Sequence, residues 1–132
     1  METPGMGCNS LDDSPDGIER FLRRNPTTCL VAIANTPDGS GIAGVILCGH
    51  DGRRAYIYHT AVRSALQGLG IGRLLVEHVL SVLEKKGIAK AALVVFSRNE
   101  GGNAFWEKLG FTVRNDLVYR NRTVLEMTRI DT

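Results

Sequence analysis

Between Ala55 and Phe96 the sequence passes from a loosely alternating β-rich segment, through a glycine-rich loop, into a long amphipathic stretch and then a nearly all-apolar run. That order constrains the fold more than any other feature. Ala55 to Val62 reads as a strand, and Arg63 to Gly70 as a polar, Gly-rich loop. From Ile71 to Lys86 the residues Ile71, Leu74, Leu75, Val79, Val82 and Leu83 recur at helical spacing, with Val76 and Leu80 widening the stripe. This predicts a mostly buried helix. Gly87 ends it, and Lys85 and Lys86 suit the negative end of the helix dipole. Ala91 to Phe96 is then expected as a strand in the interior of a sheet. Strand, helix and strand in this order form a βαβ unit, for which a right-handed parallel crossover is the strong expectation.

The flanking segments extend the sheet. The first 14 residues are rich in Gly, Ser, Asp and Pro and read as an irregular arm. Ser14-Pro15-Asp16 offers an N-cap with proline at the first helical position, and Asn25-Pro26 stops a short helix over 15–24. Thr28 to Ala34 and Ile42 to Cys48, separated by a turn cluster holding Pro37-Asp38-Gly39, predict a hairpin. After the βαβ unit, Gly102 to Leu109 reads as a short helix ended by Gly110. Phe111 to Arg114 and Val118 to Met127 are expected as two more strands.

At 132 residues and 43% hydrophobic content, the chain is expected to form one domain, 1–132. A formal net charge of +2 compels neither a nucleic-acid nor an acidic-membrane partner. No apolar run approaches the roughly 18 residues that a membrane helix needs, and no signal-like segment leads the chain. Cys8, Cys29 and Cys48 are odd in number and lack CxxC or His neighbours at metal-ligand spacing, so a reduced, cytoplasmic chain without a metal is expected.

Gln67-Gly68-Leu69-Gly70-Ile71-Gly72 stands where a loop enters a helix N-terminus. Backbone N–H groups there lack intrahelical partners, and the helix dipole adds partial positive charge, so the run suits a bound anion. A flexible loop with glycines for tight packing is an equally good reading of the run alone. A Rossmann site would want an acidic residue closing the next strand, where the sequence has Val95-Phe96-Ser97. A Walker A loop would want Gly-Lys-Ser or Gly-Lys-Thr, and Gly72 is followed by Arg73 and Leu74.

The wider constellation from Tyr56 to Phe111 resembles the GNAT acetyltransferase superfamily. The run Gln67 to Gly72 matches that family's Gln/Arg-x-x-Gly-x-Gly/Ala loop, and Asn99 with Phe105-Trp106-Glu107-Lys108-Leu109-Gly110-Phe111 looks like its second motif. The resemblance implies an α/β (α+β) fold with a mixed central sheet and an acetyl-CoA-binding core over 55–111. It further implies a splay between two neighbouring parallel strands, with the pantetheine arm pairing along Ala61 and Val62, the pyrophosphate on Gln67 to Gly72, and Asn99 reaching the cofactor. Before its helix at 15–24 the family usually has a strand and a long helix, so the fold is expected to be N-terminally shortened. The edge at Thr28 to Ala34 is then expected to be covered by the arm Met1 to Asp13 or by a second copy in a homodimer.

The implied reaction is direct transfer of an acetyl group from acetyl-CoA to an amine of a small-molecule or peptide acceptor. Deprotonating an alkyl ammonium of pKa near 10.4 at pH 7 costs about 4.6 kcal/mol, so a base or a water chain helps. In the family the base often projects from the strand before the loop, which places Tyr56 and Tyr58 there. Tyr58 is expected to orient a water or the acceptor, with strand packing as its alternative role. Period-two alternation points His59 to the opposite face, and His78 is expected to pack on the buried helix. Trp106 stands where many members carry a tyrosine that protonates the leaving thiolate. An indole N–H is no useful proton source, so either the thiolate leaves unaided or another residue serves, with Tyr119 on the expected late hairpin as a candidate. The second reading is a catalytically weak acetyl-CoA-binding regulatory module.

Overall fold

The structure is a computed structural model that describes residues 8–37 and 39–129. Helix α1 (Pro15–Arg24) begins at Ser14, whose hydroxyl accepts the Gly17 N–H at 3.0 Å, and ends at Asn25. Strands β1 (Cys29–Thr36), β2 (Gly39–His50) and β3 (Ala55–Val62) form an antiparallel meander. A short 3₁₀ turn at Ser64–Leu66 precedes helix α2 (Ile71–Lys85), which leads to β4 (Ala91–Ala92) and then to helix α3 (Glu100–Lys108). The sheet order is β1-β2-β3-β4, and the β3–β4 pair is parallel. The fold class is therefore the expected α+β one with a mixed sheet.

One core lies between the sheet and α2. Leu75, Val76, Val79 and Leu83 of α2 pack against Ile46 and Cys48 of β2, Ile57 of β3 and Trp106 of α3. The apolar stripe read from the sequence is thus the buried one, although Leu74 is exposed. His78 also faces solvent, so its expected packing role is corrected: it lies beside the stripe rather than on it. Asn25 ties α1 to the sheet. Its buried side-chain oxygen accepts the His50 N–H at 3.1 Å, and its amide donates to the Phe21 carbonyl at 3.3 Å.

Three further expectations are corrected. Ala91 to Phe96 is not an interior strand, because β4 pairs only through Ala55–Ala91 and Tyr56–Ala92, and among the described residues it forms the sheet's edge. Beyond Ala92 the chain departs from β3. Phe111 to Arg114 and Val118 to Met127 form no strands, and Val113, Val118 and Val124 are 70%, 76% and 91% exposed. Alternation in those segments met no partner strand against which to be buried. The third correction concerns the arm. Residues 8–13 do not lie along β1; Asn9 bridges to Arg129 and Asp13 turns toward β3. The part of the arm before Cys8 lies outside the described residues.

Candidate functional site

β3 is held on one side through its length by β2, but on the other side only Ala55 and Tyr56 have a partner strand among the described residues. From Ile57 onward that flank is open, since Leu93 to Phe96 have left the sheet. Ala61 and Val62, paired across to Val45 and Gly44 of β2, face this gap with their other edge. An open strand edge of this kind accepts an extended amide-bearing ligand as an added strand.

A cavity of about 720 Å³ occupies the gap and runs from β3 past the loop to α3. Seven of the residues singled out from sequence line it: Val62, Gln67, Gly68, Gly70, Ile71, Gly72 and Asn99. Ala61 is buried beneath it and Leu69, 70% exposed, points away. Gly70 is the N-cap of α2 at φ 86° and supplies no side-chain cap. Leu74 is the residue whose N–H closes the first helical turn, onto the Gly70 carbonyl, so the N–H groups at the start of α2 have no partner within the helix. Gly72 is the second glycine with a visible reason: a Cβ there would meet the Phe105 ring at 3.2 Å. Gln67 donates to the Val62 carbonyl at 3.2 Å, closing the loop onto the end of β3. Asn99 caps α3 by accepting the Gly102 N–H at 2.9 Å, and it lines the cavity as well.

Sequence reading missed three residues here. Lys108 adds positive charge to the rim, which Arg73, paired with Glu77 at 2.9 Å, also lines. Arg73 directly follows the glycine run, a signal that was available. Thr60 is 2% exposed and lines the cavity, yet its hydroxyl has no hydrogen-bond partner among the described residues. A buried hydroxyl in that state favours a ligand that supplies one.

A second cavity, of about 660 Å³, lies on the α1 side of the sheet. Tyr56, Tyr58 and His59 of β3 line it, with Asp12 and Asp13 at one end and Arg24 and Arg54 at the other. The ends are fixed because α1 lies across β2 and β3: Asp13 meets His59 of β3 near the helix start, and Asn25 meets His50 of β2 at its finish. His59 and Thr60 are consecutive, and each lines a different cavity.

His59 is a correction. A β-bulge interrupts the β2–β3 register, with Leu47 opposite His59 and Cys48 opposite Ile57, so Tyr58 has no partner across. The extra residue breaks period-two alternation, and His59 turns into the same cavity as Tyr58. There its Nε2 lies 2.9 Å from Asp13 Oδ1, and both side chains are 15% exposed.

Tyr58 packs edge-on against Phe21 at 5.3 Å and lies 4.8 Å from Tyr56. Burial raises the pKa of both phenols. For Tyr56, burial with the neighbouring Tyr119 and Tyr58 pushes it up to about 12, while Asp12 and Tyr119 add to the effect of burial on Tyr58. Both are therefore neutral at pH 7 and serve as donors rather than bases. Tyr119 acts on both rings but is 61% exposed on an irregular segment, so the late hairpin expected to carry it is absent. Trp106, 3% exposed, packs edge-on against Phe105 and Phe111 in the core. Cys48 is buried, and its thiol is pushed up to about 12 by burial and by Cys29.

Comparison with known proteins bears on this geometry. A family model described as the acetyltransferase (GNAT) family matches residues 4–111. A serotonin N-acetyltransferase 2, chloroplastic, of Oryza sativa subsp. japonica is 28% identical over 116 residues, covering 84% of this chain and 56% of its own length. A [ribosomal protein bS18]-alanine N-acetyltransferase of Escherichia coli strain K12 is 40% identical over 57 residues, 43% of this chain and 38% of its own. The chain thus spans about half, or less, of the length of these curated relatives. Among solved structures, Ard1 from Thermoplasma volcanium is similar with a TM-score of 0.67 at 22% identity, covering 76% of this chain and 66% of that one. A GNAT family acetyltransferase from Elizabethkingia anophelis with acetyl-CoA bound gives 0.61 at 22%, covering 80% and 65%. These two likenesses carry the fold.

Proposed function

Because the chain belongs to the GNAT acetyltransferase family, we propose that it transfers an acetyl group directly from acetyl-CoA to an amine of a small-molecule or peptide acceptor. The observation that carries this reading is the gap beside β3, which opens onto the N-terminus of α2 through a cavity lined by the glycine loop. In the proposed complex the pantetheine amides pair with the free edge at Ala61 and Val62. The pyrophosphate takes the N–H groups from Gln67 to Gly72, aided by Arg73 and Lys108, and Asn99 and the Thr60 hydroxyl complete the contacts. No metal enters the proposed reaction.

The acceptor is assigned to the cavity on the other face. Consecutive residues His59 and Thr60 line the two cavities, so a thioester lying in the gap is reached from both sides. Asp12 and Asp13 favour an ammonium group at that end. Tyr58 is proposed to orient the acceptor or a water, and Tyr119, close to it, to hydrogen-bond the departing sulfur. Two copies are proposed to associate along the outer edge of β1, where Val31 and Ile33 are exposed, in the cytoplasm. Among the described residues no helix is long and apolar enough to cross a membrane.

The binding-only reading is not favoured, since the curated relatives named above are all acetyltransferases. Calorimetric titration with acetyl-CoA, paired with thiol release over a panel of primary amines and peptides, tests the proposal. The expected result is binding of acetyl-CoA and CoA release on at least one amine. Gly70→Val should lose binding with the fold intact, because φ 86° is strained for a β-branched residue although the space there is open. Absence of binding by the unaltered chain at millimolar acetyl-CoA would overturn the reading.

A further inference from the structure

The structure assigns the general base of the proposed transfer to His59, held in one tautomer by Asp13. This rests on the acetyl-CoA reading above and adds the proton-transfer group that reading lacks. Three observations carry it. First, the bulge at Tyr58 turns His59 into the acceptor cavity. Second, the ring is only 15% exposed and Nε2 sits 2.9 Å from Asp13 Oδ1. Third, the next residue, Thr60, lines the cofactor cavity, so the imidazole stands one residue from the gap.

The tautomer follows from the partner. A carboxylate only accepts, so in the neutral ring Nε2 carries the hydrogen and Nδ1 keeps its lone pair. Asp13 is in turn held by the Asn9 N–H, which donates to Oδ2 at 2.7 Å. That second hydrogen bond holds the carboxylate with Oδ1 toward the ring. Asp13 is accordingly a positioning residue, and His59 the catalytic one. The two neutral tyrosines beside it cannot take a proton at pH 7.

The step balances as follows. Nδ1 takes one proton from the acceptor ammonium and becomes imidazolium, which passes that proton to bulk water. The amine lone pair attacks the thioester carbonyl carbon, the new C–N bond forms, and the C–S bond breaks with its electron pair on sulfur. The second N–H proton lost by nitrogen as the amide forms ends on the thiolate, giving CoA thiol.

Bromoacetyl-CoA tests this without an identified acceptor, because a nucleophilic nitrogen near the acyl group displaces bromide from its methylene carbon. Cys8 Sγ lies within 4.8 Å of a ring nitrogen of His59 and a carboxylate oxygen of Asp13, so the reagent is applied to the Cys8→Ser chain. The expected result is one adduct, located by peptide mass spectrometry on His59, suppressed by excess acetyl-CoA and lost in His59→Gln. In Asp13→Asn the amide can donate to Nε2 and invert the tautomer. Its ¹⁵N spectrum should then show the hydrogen on Nδ1, with labelling slowed at least about tenfold, an effect that a merely structural aspartate would not produce. Labelling elsewhere, or none although acetyl-CoA binds, overturns the assignment and leaves the functional reading standing. Failure of both CoA compounds to bind overturns the two together. Should His59→Gln not fold, the adduct's position in Cys8→Ser still decides.

Discussion

A phenol drawn partly out of water beside two others holds its proton longer than a free one. Tyr56, with burial as the main cause and Tyr119 and Tyr58 behind it, is pushed up to about 12 from an ordinary value of 10. The folded chain therefore keeps, between those two values, a proton that the unfolded chain has released. The linked stability is complete below about pH 10 and is lost as pH rises toward 12. Cys48 works in the same direction, from 9 to about 12. In an absorbance titration of phenolate, Tyr56 is expected to ionise last, and Tyr56→Phe to remove that final phase and soften the alkaline fall in stability. Simultaneous ionisation of the three tyrosines near 10 would contradict this. His59 teaches the complementary lesson: its residue type was visible from the outset, but its direction depended on a bulge that alternation cannot foresee.

Each secondary-structure element owes its existence to local signals and its limits to neighbours. The start of α1 is local: Ser14 accepts the Gly17 N–H, proline takes the first turn, and Asp16 sits at the positive end of the dipole. Ser14→Ala should destabilise the fold by about 1 kcal/mol, read as a melting temperature lower by roughly 2 to 8 °C, while Ser14→Asp should hold it. An unchanged Tm in the alanine variant would show that the cap contributes nothing. β4 illustrates the other case. Its apolar run suggested an interior strand, yet pairing ends after Ala92 and the rest stays half-buried beside the gap. The run is apolar because it lines the core's flank, a burial that looks the same in sequence as pairing on both sides.

At the scale of the molecule, the exposed apolar residues among those described concentrate in two places: the β1–β2 hairpin, with Val31, Ile33 and Ile42, and the segment holding Val113, Val118 and Val124. An edge strand with apolar side chains offers its unpaired backbone to another chain. Sedimentation equilibrium at micromolar concentration should accordingly give a dimer, and Ile33→Lys should shift it toward monomer. A single monomeric species would remove homodimerisation from the proposed function.

Composition and periodicity determined the kinds of element and their order from α1 to α3, though not the extent of β4 or the segment after α3. Helical spacing marked the buried stripe of α2, β-rich runs marked the meander, and the glycine run marked the loop between β3 and α2, because these signals are written within a few consecutive residues. Tertiary structure alone decided what those elements enclose. The parting of β3 and β4, the bulge that turns His59 beside Tyr58, the meeting of Asp13 with His59 across 46 positions and the unpartnered hydroxyl of Thr60 all depend on register and packing between distant segments. Local sequence fixes backbone preference, whereas the side of a strand on which a residue emerges, and what it meets there, is set by the partner strand.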